Sequence, residues 1–490
     1  MKHKSKFLLF AIFTLLYGSA SAFCGFYVAQ AGASVFNNKS EVIIVRDGTK
    51  QTITMLNDFK GDLKKFAMVI PVPVVLKRND IRVMEQSLFG TFDNYSAPRM
   101  VEYFDQNPCQ KWDYESDMYE NLKASSRSSM EDKASSVYKR EKVTIEAQYT
   151  VEEYEIVILS ATESGGLEEW LKSNGYAIPE NANEVLQPYI KDKMKFFAVK
   201  INLEKARQMN RQYLRPIQIT FNTPKFMLPI RLGMANSNGE QDLIIYCFTK
   251  TGRVEAANYR TIEIPSAKKI PTFVQQNFVQ FYKDVFDKNY EKEGKNAVFV
   301  EYAWNVSPNW GVKCDPCTGN PPIVQDLINA GVGWIDAQQS YTGNVFFTRL
   351  HVRYSREKFP EDLTFIETPN NATYQVRQII THPATGDFQC KEGITYLQDL
   401  RTRRRLELQE MQAMAGWDSD EYPFYVELGD GTKVPVEKED GQNRNSFPVW
   451  FHGNGAPPSW LLPVFLLIAA STIYLIRKWK WRNPISTELR

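Results

Sequence analysis

The sequence is short of the residues and motifs that most enzymes use for chemistry. It has only four histidines in 490 residues, which leaves little room for a metal centre built on several histidines. It contains no Gly-x-Ser-x-Gly elbow, no His-Glu-x-x-His pair and no phosphate-binding loop, since Gly294-Lys295 continues with Asn296. We therefore predict no catalytic residue, no metal site and no cofactor, and we favour a binding or structural protein over an enzyme.

An excess of charge is also missing. The 59 basic and 57 acidic residues give a formal net charge of +2 at pH 7. A charge this low provides no general attraction for nucleic acid, so we predict no such partner. Hydrophobic residues make up 43% of the chain. That share is too high for a disordered protein and too low for one that crosses a membrane many times.

Both ends of the chain predict export and anchoring. Residues 1–22 combine a basic start, an apolar run and the small residues Ala20-Ser21-Ala22, a pattern typical of a secretory signal peptide. Near the other end, Trp460 to Ile476 carries no charge and is followed by Arg477-Lys-Trp-Lys-Trp-Arg482. Basic and aromatic residues there favour one transmembrane helix, residues 459–477, with a cytoplasmic tail, 478–490. We expect a single-pass protein of the cell membrane, with its ectodomain in the periplasm or at the cell surface.

The segment between the two ends mixes strands and helices. No regular βαβ alternation is visible, so we predict a β-rich α+β ectodomain with several helices. Composition divides it into a β-rich part (23–114), a serine-rich linker or inserted loop (115–142), a central α+β part (143–310), a cysteine-containing α+β part (311–417) and a stalk (418–458).

Local patterns predict individual elements. Residues 41–46 and 51–55 are β-branched runs joined through Asp47-Gly48, a strong hairpin signal. Residues 143–159 are predicted to form one long strand and 96–105 a short helix. Leucines and methionines at helical spacing predict a long helix over 392–414.

The sharpest local motif is Cys314-Asp-Pro-Cys317. Such a pair exchanges disulfides when its first thiol lies at a helix N-terminus after a strand. Here Thr318-Gly-Asn-Pro-Pro322 delays any helix to about Ile323. A thiol–disulfide redox protein using Cys314 and Cys317 is therefore an alternative function, and a structural bridge is the competing interpretation.

The chain has six cysteines, which allow up to three disulfides in an oxidising compartment. Cys24 and Cys109 are a plausible bridge across the first part, and Cys390 is a further disulfide or redox candidate. Cys247 lies within an apolar strand and is a candidate for a buried free thiol.

Arg349, His351 and Arg353 alternate along a predicted strand, so they share one face at intervals of about 7 Å. They form a candidate anion-binding site. The alternative is that these side chains are hydrated or paired with acids on neighbouring strands. A third function left open is a carboxylate-dependent peptidase or glycan hydrolase, which requires a deep cleft lined by two acids.

Several stretches resemble one bacterial family. They include Phe23-Cys-Gly-Phe-Tyr-Val-Ala29, Ala67-Met-Val-Ile-Pro-Val-Pro73, Tyr95-Ser-Ala-Pro-Arg99, Trp170-Leu-Lys-Ser-Asn-Gly-Tyr176 and Cys314-Asp-Pro-Cys317. Over nearly the whole ectodomain, the chain is similar to the uncharacterised family named domain of unknown function 2330, of secreted or membrane-anchored proteins. The resemblance implies a bacterial envelope protein and supplies no activity, cofactor or catalytic residue. We expect an ectodomain that binds a partner, such as an envelope protein or a glycan, or that has a structural role.

Overall fold

The computed structural model of the chain describes residues 26–30, 36–37, 40–56, 59–60, 66–110, 143–173, 176–177, 182–201, 205, 214–236, 239–308, 311–317, 319–336 and 343–427. The predicted signal peptide, linker, transmembrane helix and cytoplasmic tail, together with Cys24, lie outside these residues. Within the described ranges, no helix is both long enough and apolar enough to cross a membrane.

The described residues form a mixture of helices and strands, which confirms the α+β class. The helices are α1 (Ser87–Ser96), α2 (Ser164–Ser173), α3 (Ala182–Lys191), α4 (Phe278–Lys292), α5 (Val324–Ala330), α6 (Lys391–Ala415) and α7 (Pro423–Glu427). Short 3₁₀ turns cover Arg78–Asp80, Gly233–Asn236, Thr272–Asn277 and Ser419–Glu421. The strands are β1 (Phe26–Gln30), β2 (Phe36–Asn37), β3 (Ser40–Asp47), β4 (Lys50–Leu56), β5 (Phe59–Lys60), β6 (Phe66–Val72), β7 (Ile81–Val83), β8 (Arg99–Phe104), β9 (Val143–Val151), β10 (Tyr154–Ala161), β11 (Tyr176–Ala177), β12 (Lys195–Ile201), β13 (Ile217–Asn222), β14 (Met227–Leu228), β15 (Gln241–Thr249), β16 (Val254–Ala256), β17 (Arg260–Glu263), β18 (Lys268–Lys269), β19 (Ala297–Asn305), β20 (Phe346–Tyr354), β21 (Leu363–Glu367), β22 (Tyr374–Gln375) and β23 (Arg377–His382).

Two large sheets organise these strands. One has six strands in the order β11-β1-β6-β12-β10-β9. The other has nine, in the order β17-β19-β20-β15-β3-β4-β13-β7, with β22 beside β19. Smaller sheets are β14-β21-β16, β18-β23-β8 and β2-β5. The nine-stranded sheet contains strands from all three predicted parts of the ectodomain, so these parts share one framework.

The main hydrophobic core lies between the two large sheets. One cluster of buried side chains joins Ile70 and Phe197 of the six-stranded sheet to Ile44, Ile53 and other residues of the nine-stranded sheet. Helices α2 and α3 pack on the outer side of the six-stranded sheet. Helices α1, α5, α4 and α6 cover the other side of the nine-stranded sheet. Most of the nine-stranded sheet is therefore buried on both faces.

The β3–β4 hairpin forms as predicted. Asp47 pairs with Lys50, and Gly48 between them has a φ of +59°, a value that glycine adopts without strain. Because side chains alternate along a strand, Ile44 and Ile53 face the inter-sheet core, while Ile43 faces α1 and α5.

Two predicted elements differ from the structure. Residues 96–105 are not a helix: α1 ends at Ser96, because Ala97 precedes a proline and adopts an extended conformation, and Arg99–Phe104 is strand β8. Residues 143–159 are two strands rather than one, because a turn with a positive φ at Glu152 reverses the chain between β9 and β10.

The long helix over 392–414 is confirmed as α6. The chain after it packs back onto the body: Tyr425 in α7 is buried, and its hydroxyl donates to the carboxylate of Glu407 at 2.6 Å. Folded structure therefore extends into residues that were predicted as the start of the stalk.

Candidate functional site

The three side chains of the predicted anion site, Arg349, His351 and Arg353, lie on one face of β20. Phe286 of α4 packs on both His351 and Arg353. Each contacts a carboxylate from a neighbouring strand. Glu301 of β19 accepts from Nε of Arg349 and lies 2.8 Å from Nδ1 of His351. Asp242 of β15 lies 3.2 Å from Nε2 of His351 and accepts from Nε of Arg353 at 2.8 Å. The structure thus brings the three residues together in an alternating row of cations and acids.

Two further acids complete this row, which we call the β20 charge network. Asp93 of α1 accepts from Nη1 of Arg349 at 2.7 Å, and Asp287 of α4 accepts from Nη1 of Arg353 at 2.6 Å. Four acids therefore face two arginines and one histidine. This balance leaves no surplus positive charge for an anionic ligand, and the geometry matches the alternative of pairing with acids across the sheet.

The pKa shifts in the network follow from its mutual contacts. Burial alone would raise the pKa of Glu301, but Arg349 and His351 outweigh burial and hold that pKa well below its usual range. Burial alone would lower the pKa of His351, but Glu301 and Asp242 outweigh it and raise that pKa above its ordinary value. These contacts therefore favour the charged forms of both Glu301 and His351.

The described cysteines form two disulfides and leave one free thiol. Cys109 bonds to Cys390, and Cys314 bonds to Cys317. The predicted bridge from Cys24 to Cys109 is therefore wrong. The partner of Cys109 lies 281 residues away, because β8 pairs in parallel with β23 and so reaches the start of α6. Cys247 is free and buried, as predicted.

The Cys314–Cys317 loop is held through its backbone. Tyr302 donates its hydroxyl to the carbonyl of Lys313 at 2.8 Å, and Arg99 donates from Nη1 to the carbonyl of Pro316 at 3.2 Å. Cys314 is buried, whereas Cys317 is exposed. Helix α5 begins only at Val324, so the strand–cysteine–helix arrangement of exchanging pairs is not formed here.

A polar groove that the sequence did not reveal lies on the outer face of β4 and β13, at the edge of the nine-stranded sheet. Its volume is about 630 Å³. Three exposed cations line it, Lys50 of β4, Lys77 before the Arg78–Asp80 turn and Arg82 of β7. The one acid in the lining is Asp80, whose Oδ2 accepts from the backbone N–H of Lys77 at 2.7 Å. We call this feature the cationic groove.

The floor of the cationic groove is built from hydroxyl and amide groups. Thr52 and Thr220 share a hydrogen bond of 2.9 Å between their hydroxyls across the β4–β13 pair. Gln218 donates to Thr54 at 2.9 Å. Gly331, directly after α5, lies very close to Thr52. A Cβ atom added to Gly331 would be only 2.7 Å from Cγ2 of Thr52. The floor is therefore held in place from several directions.

On the other face of the same two strands lies an apolar cleft of about 190 Å³. Ile53 and Met55 of β4 line it together with Met194, Met227 and other apolar side chains. It opens between the two large sheets, at one end of the main core. We call this feature the apolar cleft.

A third cavity, of about 560 Å³, lies between β18 and α6 and is the nearest match to an acid-lined cleft. Its acids are Asp399, Glu407 and Glu410. Glu410 pairs with Lys268 at 3.1 Å, and Glu407 lies 3.4 Å from Nε of Arg403. Two of the three acids thus have a cationic partner, which does not favour hydrolase chemistry. Across the described ranges, no group of His, Cys, Asp or Glu side chains could hold a metal ion.

Comparison with known proteins identifies a bacterial family. No curated protein and no solved structure matches the chain. A family model described as an uncharacterized protein conserved in bacteria (DUF2330) matches residues 18–366, well over half of the 490 residues. The matched region includes the cationic groove, the apolar cleft and the Cys314–Cys317 pair. The resemblance seen in the sequence motifs is thereby confirmed, and the chain belongs to the DUF2330 family of uncharacterised bacterial proteins.

Proposed function

We propose that the chain is a membrane-anchored envelope protein whose ectodomain binds an anionic ligand in the cationic groove. The observation that carries this proposal is the charge of the lining. Lys50, Lys77 and Arg82 face a single acid, Asp80, so the groove has a local charge of about +2. None of the three cationic side chains forms an ion pair with another described residue.

The contrast with the β20 charge network supports this choice of site. There, every cation contacts acids at hydrogen-bond distance. In the groove, the cations are exposed and stand beside hydroxyl and amide groups that suit a hydrated, hydroxyl-bearing ligand. Asn79 and Asn222 also line the groove, and within the described residues their side chains have no hydrogen-bond partner.

Titration of the purified full-length chain with glycerol 3-phosphate, followed by calorimetry, tests the binding. We expect saturable binding that weakens at least tenfold when Lys77→Gln and Arg82→Gln are combined, and that also weakens as salt rises. Lys283→Gln on α4 is the matched control, because it removes one exposed cation far along the chain from the groove. Equal affinity in the double variant and the wild type would contradict the proposal.

Export and anchoring rest on different support. The two ends of the sequence have the patterns of a signal peptide and a membrane span. The two disulfides fit an oxidising compartment, because disulfides are rare in the cytosol. Protease added to spheroplasts should digest the ectodomain and spare a tag placed on the C-terminal tail. Recovery of the intact, uncleaved chain in the cytosol with reduced thiols would overturn this part of the proposal.

A thiol–disulfide exchange protein is the second candidate, favoured by the exposure of Cys317. An incoming thiolate would attack Sγ of Cys317, form a mixed disulfide and release the thiolate of Cys314. The guanidinium of Arg99 lies beside the loop and would favour that anion. A Cys314→Ser variant should then accumulate mixed disulfides through Cys317. If it traps no more partner than a Cys390→Ser control, this candidate is rejected.

A further inference from the structure

Building on the proposed function, we propose that the ligand is a single-chain lipid with a phosphate head, whose head occupies the cationic groove and whose acyl chain occupies the apolar cleft. The local charge of about +2 in the groove matches a phosphate monoester, which carries a charge between about −1.5 and −2 at pH 7. The cleft, with a volume of about 190 Å³, supplies an apolar environment for part of such a chain.

The two cavities are the opposite faces of the same strands. Along β4, Gln51, Ile53 and Met55 line the apolar cleft, whereas Lys50 and Thr52 line the cationic groove. This follows from the alternation of side chains in a strand. In β13, Ile219 lines the apolar cleft and Thr220 lines the cationic groove, whereas Phe221 lines both. One sheet thickness therefore separates an apolar site from a cationic one.

A route between the two faces exists at the edge of the sheet. Strand β7 pairs only with Ile217–Ile219 of β13, so it does not cover Thr220, Phe221 or Asn222. Residue Phe221 lines both cavities. An extended ligand can thus pass around the edge at Phe221 and contact both faces.

The end of β6 and the residues directly after it follow the same route. Pro71 and Pro73 line the apolar cleft, and Val74 and Val75 line the cationic groove. The two valines are unusually exposed, at 37% and 38% of their surface. These exposed apolar residues of the groove, which directly follow the prolines of the cleft, would be covered by the upper part of an acyl chain.

The walls of the apolar cleft are shaped before any ligand arrives. Arg46 donates to the carbonyls of Thr223 and Pro224, at 2.9 Å and 3.3 Å, and Gln51 donates to the carbonyl of Met227 at 2.9 Å. These bonds hold the loop that forms one side of the cleft. The methionine side chains that line the cleft can adapt to acyl chains of different shape.

One other charged pair lies at the cleft, and it does not suit the head group. Lys225 and Asp192 line the cleft and pair with each other at 2.7 Å, with about half or more of each side chain exposed. This pair is neutral and strongly hydrated. The phosphate head is therefore assigned to Lys50, Lys77 and Arg82 on the other face.

Photolabelling of the full-length chain tests the assignment. The probe is a lysophosphatidic acid with a diazirine in its acyl chain, and labelled peptides are mapped by mass spectrometry. We expect labels on peptides that contain Met194 and residues 223–229, and we expect the probe to bind at least tenfold more tightly than glycerol 3-phosphate, since each buried methylene strengthens binding about fourfold. Palmitate, a tail with a carboxylate head, should compete less well.

Two variants that block the cleft separate this inference from the proposed function. Met227→Trp should fill the cleft and Met194→Glu should make it polar, and both side chains are only partly buried. Each should remove most of the affinity for the lipid and leave glycerol 3-phosphate binding unchanged. If glycerol 3-phosphate fails to bind the wild type, the proposed function is wrong.

Two outcomes refute the lipid alone. If glycerol 3-phosphate binds but the acyl chain adds no affinity or labels elsewhere, the groove takes a soluble anion. If Lys225→Gln abolishes lipid binding and the Lys77/Arg82 double variant does not, the head lies at the cleft mouth and the assignment of the two faces is wrong.

Discussion

Replacing Glu301 by glutamine tests how much the β20 charge network contributes to stability. Glu301 is 1% exposed and contacts two cations, Arg349 and His351. The substitution keeps the shape of the side chain and removes its charge. Arg349, itself 4% exposed, would keep only Asp93 as an ionic partner among the described residues.

The expected loss of unfolding free energy is large because the positive charges of Arg349 and His351 stay buried when Glu301 loses its charge. Removing one partner of a buried ion pair typically costs about 3–5 kcal/mol, since the remaining charge loses its compensation and cannot reach water. Tyr282 also donates to Glu301, and glutamine can still accept that hydrogen bond. We therefore expect Glu301→Gln to lower the free energy of unfolding by about 3 kcal/mol or more.

Urea unfolding followed by circular dichroism measures the effect. Glu291→Gln is the matched control, because Glu291 forms an exposed pair with Lys295 at 2.9 Å, and such pairs contribute about 0–1 kcal/mol. Adding Arg349→Met to Glu301→Gln should recover part of the loss, because the unpaired cation is then removed as well. If Glu301→Gln costs no more than Glu291→Gln, the network does not stabilise the fold and our interpretation fails.

Three further predictions concern pH, a disulfide and a glycine. Because the pKa of His351 is raised in the folded state, the protonated imidazole contributes its full stabilisation below about pH 6.5, and this stabilisation is lost as the pH rises through the folded-state pKa. The free energy of unfolding should therefore fall between about pH 6.5 and the folded-state pKa in the wild type, but not in His351→Gln. Cys390→Ser should cost about 2–5 kcal/mol of unfolding free energy, and reductant should then have a much smaller effect than on the wild type. Gly331→Ala should cost more than about 1 kcal/mol in the same measurement, because φ is +110° and its Cβ would meet Thr52, whereas Gly333→Ala, with 3.8 Å of space, should be nearly neutral. The first expectation is contradicted if the free energy of unfolding of the wild type does not change with pH. The second is contradicted if Cys390→Ser is as stable as the wild type, and the third if Gly331→Ala and Gly333→Ala cost the same.

Local signals were sufficient for elements that neighbouring residues define. The Asp47-Gly48 turn and its flanking β-branched runs predict the β3–β4 hairpin, and helical spacing predicts α6. Where a local signal competes with a turn, the pattern misleads. Residues 143–159 are rich in strand-forming residues throughout, and the reversal at Glu152 has no glycine or proline to mark it.

The partners of side chains depend on strand order, which the local pattern does not contain. The alternation along β20 correctly placed Arg349, His351 and Arg353 on one face. Whether that face binds a ligand depended on Glu301 and Asp242, which lie on the two strands beside β20. Cys109 likewise finds Cys390 only because β8 and β23 become neighbours.

The cationic groove is the clearest case of a site that the sequence could not reveal. Its cations come from β4, the segment before β7 and β7 itself, and its far wall comes from residues 331–333. No short motif contains them. The one available signal is the alternation of Thr52 and Thr54 with Ile53 and Met55 in β4, which indicates that this strand has a polar face.

The register of one hairpin determines both the core and the candidate site. Ile53 and Met55 contribute to the main core and to the apolar cleft, while Lys50 and Thr52 on the opposite face line the cationic groove. A shift of one residue would exchange the two faces, so the burial of the apolar face holds the polar face in place. The turn at Gly48 sets this register. A site built on the outer face of a core hairpin therefore has the rigidity of the core. Ligand binding then does not have to order the residues of the site, so little binding free energy is lost.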